Sequence, residues 1–210
     1  MASSFPASAT HPTPFWATNV GSPGDWLVPG HLYVSSIVID LVPGDSVETV
    51  ALVGRKQRRG SIAIIGIAVW SGTGDRAVAL GGATWSARSG WDFALNRGDF
   101  LDLDGDGVLD VGLREAAGGG DWLVQHTVWY RLHEMTLRPV YQLARRVRTH
   151  DFEEHRDMAI EGPGLLRERI EHTRFEGRTG LKNDRKNFDV TYRFFPSRWR
   201  FAPVSTRVLR

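Results

Sequence analysis

Asp102-Leu103-Asp104-Gly105-Asp106-Gly107-Val108-Leu109-Asp110 is the stretch on which the fold turns. Its carboxylates fall at positions 1, 3, 5 and 9 of a nine-residue loop, with a glycine at positions 4 and 6. Four acids converging on one small volume repel each other, so the folded loop needs a cation. Hard oxygen donors and an irregular cage suit calcium, which takes about 6–8 oxygens; magnesium keeps its waters and demands an octahedron. The expected ligands are the side chains of Asp102, Asp104, Asp106 and Asp110 and the backbone carbonyl of Val108, with Gly107 permitting the sharp turn.

The flanks say what the loop connects. An EF-hand would place a bidentate Glu at position 12, but Leu113 stands there and Glu115 comes two residues late. Val108 to Leu113 is rich in β-formers and holds Gly112, a poor start for a helix. The loop is therefore expected to lead into β-strands. The plain alternative is a solvated Asp-Gly turn without metal. One Asp-Gly would favour it, but four acids at metal-loop spacing do not.

Over 102–113 the stretch resembles the calcium loops of FG-GAP (integrin-α-type, VCBS-like) repeats, where Asp-x-Asp-x-Asp-Gly-x-x-Asp loops join strands of propeller blades. A second segment, Asp40 to Val50, aligns without gaps on Asp102 to Gly112. Asp40 falls on Asp102, Leu41 on Leu103 and Glu48 on Asp110, while Val42 and Gly44 replace the middle acids. This earlier loop is expected to keep the turn and to have lost the ion. The resemblance implies blade-like sheets, a structural calcium and binding of proteins or glycans outside the cytoplasm.

Outward from the loop, strand and turn signals alternate. Leu32–Leu41, Glu48–Val53, Ser61–Trp70, Arg76–Leu80, Ala83–Ala87, Gly98–Leu103, Val108–Arg114 and Trp122–Leu132 read as strands. Ser61–Trp70 is nearly all apolar and suits a strand buried on both faces. Leu137–Val147 reads as strand or helix, with Pro139, Val140 and Val147 favouring strand, Asp151–Asp157 as a loop or one helical turn, and Leu165–Phe175 as strand or short helix. Phe188 to Phe195 alternates cleanly, a half-buried strand ended by Pro196. The expected fold is all-β: antiparallel blade-like sheets, a partial propeller or sandwich, over residues 31–210. An extended Pro/Ser-rich arm, residues 1–30, precedes it and carries Phe5, Phe15, Trp16 and Trp26.

Composition bounds the function. The chain has 210 residues and a formal net charge of +2, so no polyelectrolyte character follows, and nucleic acid is not the expected partner. Basic residues crowd the end, 18 against 11 acidic from Arg131 to Arg210. The interleaved acids make a charged strand face the plainer reading there and at the Arg55–Arg59 turn. The absence of cysteine excludes disulfides, thiol nucleophiles and Cys-type zinc sites. No apolar run approaches the roughly 20 residues of a spanning helix, and the N-terminal region shows no signal-peptide pattern. A periplasmic or extracellular setting is expected from the resemblance.

Three classes of function remain. The preferred one is a non-enzymatic, calcium-stabilised module for protein binding, assembly or adhesion. A second is a carbohydrate-binding module using exposed tryptophan. Trp70, Trp85, Trp122 and Trp129 sit in strand contexts and are expected in the core, leaving Trp16, Trp26, Trp91 and Trp199 for the surface. A third is a metal-dependent hydrolase using His150 to His155. That pair is five apart, lacks the HExxH pattern and reads more simply as a polar loop. No Gly-x-Ser-x-Gly elbow and no P-loop occurs.

Overall fold

The computed structural model describes residues 31–44, 47–57, 60–72, 77–86, 88, 90–176 and 181–209. The expected N-terminal arm, with Trp16 and Trp26, lies outside them, as do Arg58 and Arg59 of the basic turn.

Among the described residues, twelve strands form three successive antiparallel meanders of four. The first comprises β1 (His31–Ile39), β2 (Glu48–Lys56), β3 (Ile62–Ser71) and β4 (Val78–Thr84). The second comprises β5 (Trp91–Leu95), β6 (Val111–Gly119), β7 (Trp122–His133) and β8 (Thr136–Arg148). The third comprises β9 (Phe152–Gly162), β10 (Leu165–Glu176), β11 (Leu181–Phe195) and β12 (Arg200–Leu209). Strand β8 joins them: it meets β4 in parallel at Gly82–Thr136 and β9 antiparallel through Arg146–Arg148. Strand content makes the protein all-β as expected, and among the described residues the sheet is open between β1 and β12, so the meanders do not close into a propeller ring.

Two main cores explain the packing. The first lies between the first two meanders and contains Leu52, Ile67, Val69, Leu113, Val128 and Tyr130. The second lies between the middle meander and the third, around Trp129, Tyr141, Leu143, Leu166 and Phe201. Successive strand residues point to opposite faces, so β7 places Val128 and Tyr130 in one core and Trp129 in the other. A strand buried on both faces tolerates a continuous apolar run. Strand β3 also divides between faces, with Ile67 and Val69 in the first core and Ala68 in a small third cluster, and a bulge at Ile65 shifts the register so that Ile65 joins that cluster.

Several local expectations are corrected. Asp151–Asp157 is not a loop or helical turn, because β9 starts at Phe152 and pairs with β10. The approach to the acidic loop is a 3-10 turn, Arg97–Asp99, capped by the Asn96 side chain accepting from Gly98 N at 3.0 Å. Only Leu101 of that segment pairs, bridging to Asp110. Trp122 is 48% exposed, at the end of a hairpin where neither core reaches it. Trp85 and Trp129 are buried as expected.

Candidate functional site: the acidic loop at the junction of the meanders

The loop 102–110 touches all three meanders. Leu109 N donates to Leu41 O (2.9 Å) in the first, and Leu103 O accepts from Gly164 N (3.2 Å) in the third. Arg131 of the second reaches into its centre. Leu103 is fully buried in the second core and anchors the chain beneath the acids. Gly105 has φ +82° and Gly107 φ +88°, left-handed values that suit glycine. A Cβ at Gly105 would also lie 2.6 Å from Pro163 Cβ, so the β9–β10 turn closes directly over the loop.

Each carboxylate has a distinct role. Asp102 accepts from Gly105 N (2.7 Å), Asp106 N (3.2 Å) and Gly107 N (2.9 Å), which fixes it inside the turn. Asp106 accepts from Val108 N (2.9 Å), and its side chain is 46% exposed. Asp104 binds the Arg131 guanidinium through both oxygens. Asp110 is fully buried; Arg131 Nε donates to its Oδ1 (3.1 Å) and Leu103 N to its Oδ2 (3.2 Å). Burial pushes the Asp110 carboxyl up to about 7, against the pull of Arg131 and the Leu103 N–H, and the Asp104 charge adds to the rise. Burial also works against the charge on Arg131, but Asp104 and Asp110 outweigh it and hold the guanidinium protonated.

Of the expected ligands, Asp102, Asp104 and Asp106 offer oxygens within 4.8 Å of one another. Asp110 is turned to Arg131 and is not part of that cluster. Val108 is half-buried beside it. Asp102, Asp104 and Asp106 together with the Arg131 guanidinium leave a formal charge of −2, and their clustered oxygens could hold a metal ion. The loop supplies hard oxygens only. Arg131 is the residue that sequence reasoning missed. It lies 27 positions from Asp104, and nothing local in the sequence marks it as the partner.

The two aligned loops share geometry. Glu48, 2% exposed, accepts from Leu41 N at 2.8 Å, as Asp110 accepts from Leu103 N. Ile39 pairs with Glu48 as Leu101 pairs with Asp110. Leu41 and Leu103 are both fully buried.

Two further charge networks were not anticipated. Asp99, 2% exposed, binds Arg114 and Arg145, and its carbonyl accepts from Trp129 Nε1 (2.8 Å). Glu168, 1% exposed, accepts from Tyr141 Oη (2.9 Å) and Arg156 (3.0 Å); Arg156 also donates to Glu154, which in turn pairs with His172. The signal for Glu168 was present in the sequence. It alternates with Leu166 and Ile170, which places it on the buried face. The histidines considered for a hydrolase separate: His150 is exposed at the β8–β9 turn beside Asp151, and His155 pairs with Glu153 on β9. Among the described residues, Asp102, Asp104 and Asp106 are the group placed to hold a metal.

The fold and site thus define an all-β protein of three linked meanders with an acidic loop at their junction. Comparison with protein-family models, curated proteins and solved structures gives no match.

Proposed function

We propose that the protein is a non-enzymatic binding or assembly module whose acidic loop holds one structural calcium ion. The observation that carries this reading is the cluster Asp102, Asp104 and Asp106, placed where the three meanders touch. A cation there offsets repulsion that Arg131 alone does not neutralise, and it fixes the first and third meanders against the middle one. All its protein ligands come from one short loop, so its role is to hold, not to activate water. The setting proposed is periplasmic or extracellular, where calcium is abundant, and the partner is another protein or a glycan.

Calcium titrated calorimetrically into EDTA-stripped protein should bind at one site. Asp102→Ala should lose it, and magnesium should bind far more weakly. Equal heats for both metals, or binding retained in Asp102→Ala, would remove the calcium reading.

A further inference from the structure

Beside the acidic loop lies a cavity of about 570 Å³, inside the range of roughly 300–1,000 Å³ typical of small-molecule sites. Its walls come from three elements that the fold brings together. Asp106 and Arg131 stand on one side, Pro163 of the β9–β10 turn forms the lip, and Arg193 and Trp199 face them from the end of β11 and the turn after it. We propose that this cavity binds an acidic saccharide, a hexuronic-acid unit stacked on Trp199 with its carboxylate on Arg193.

The tryptophan is held in place. Trp199 follows the 3-10 turn Pro196–Arg198 with φ 50° and ψ 42°, a left-handed conformation that a bulky residue rarely adopts. Its indole packs on the His133 ring at 4.0 Å between centroids, so one side is braced from β7 while the residue also lines the cavity. A fixed aromatic surface beside polar groups suits the apolar C–H face of a pyranose.

Charge selects which sugar. Arg193 is exposed and makes no ion pair among the described residues, so its guanidinium is available to a carboxylate in the two-pronged geometry that arginine favours. The half-exposed Asp106 carboxylate accepts sugar hydroxyls at the other end. Arg131 is spent on Asp104 and Asp110, and Phe194 covers its guanidinium at 5.2 Å. The lining charges Asp104, Asp106, Arg131 and Arg193 sum to zero. In the cation-free loop that balance disfavours a phosphate dianion, and with or without the ion a single carboxylate is admitted at the Arg193 end. The inference rests on the reading of the protein as a binding module, but not on the cation.

The test compares cellobiouronic acid with cellobiose, which differ only in the carboxylate. Binding is followed by calorimetry and tryptophan fluorescence, in EDTA and again in calcium. The acid should bind at least about tenfold more tightly than the neutral sugar, the scale of one charge-assisted contact. Arg193→Gln should erase that preference. Trp199→Gly, which relieves the backbone strain, should lose both sugars while keeping the wild-type unfolding midpoint; Trp199→Phe should retain part of the binding. No binding of the acid up to about 10 mM in either buffer, equal affinity for the two sugars, or wild-type affinity in both Arg193→Gln and Trp199→Gly would overturn the proposal. Binding in EDTA with no calorimetric response to calcium would sink the calcium reading and leave this one standing.

Discussion

Arg131 is the residue on which the acidic loop closes. Its side chain is 4% exposed and meets both Asp104 and Asp110. Removing one partner of a buried ion pair leaves the other charge uncompensated, at a cost of about 3–5 kcal/mol. Arg131→Met should lose that much in urea unfolding in EDTA. Calcium should restore more stability to this variant than to wild type, because the freed carboxylates then have the ion as their counter-charge. An identical loss in both buffers would show that no cation competes for the loop. Gly112 matters for a different reason: a Cβ there would lie 2.2 Å from Asp99 O, so the 3-10 turn can press against β6 only if that side chain is missing. The acids of the loop were legible in the sequence because their spacing is local. Arg131 was not, since its approach depends on the pairing of Val111 with Tyr130 across β6 and β7.

At the scale of the element, β9 and β10 show how a charged segment becomes strand. Glu154, Arg156 and Glu168 face inward and satisfy one another, while Arg169, Asp157 and Asp189 form the outer face. Read as sequence, Asp151–Asp157 has too little apolar character to claim a strand. The ion network replaces the missing hydrophobic face, and the cross-strand pairing of His172 with Glu154 completes it. The second half of β11, Phe188–Phe195, was easier to read because its apolar residues alternate, whereas β8 was open between strand and helix until Pro139 and the β-branched Val140 and Val147 favoured strand. Burial raises the Glu154 carboxyl, but Arg156 and His172 more than offset this and hold it below the ordinary value of 4.5. A depressed carboxylate contributes stability that is fully present above 4.5 and is lost as the pH falls through the lower folded-state value. Glu154→Gln should therefore lose roughly 1–3 kcal/mol at neutral pH. Its denaturation midpoint should also fall less steeply on acidification than that of wild type. Parallel acid limbs for the two proteins would show that Glu154 does not set the acid sensitivity.

For the whole molecule, three meanders share two main cores, and the loop ties them at a point where hydrophobic contact alone does not. The strand-rich class and the meander pattern followed from turns at regular spacing. The open path from β1 to β12 did not, because closure depends on which edges find partners and no residue pattern reports that. The likeness between the 40–48 and 102–110 loops was visible as an alignment, and in the fold it becomes the same buried acid accepting from the same buried leucine N–H. The earlier loop lacks the middle acids and relies on Glu48 alone, so the proposed cation belongs to the second loop only.

The most direct test of that claim is thermal unfolding of EDTA-stripped protein, repeated with excess calcium and with excess magnesium, for wild type and Asp102→Ala. A ligand at 100 times its Kd adds about 2.7 kcal/mol to the folded state, on the order of 5–10 °C in midpoint for a chain of this size. A structural calcium at the loop should give a rise of that order with calcium, a much smaller one with magnesium, and none in Asp102→Ala. A wild-type midpoint that ignores calcium would contradict it and leave Arg131 as the counter-ion that the loop relies on.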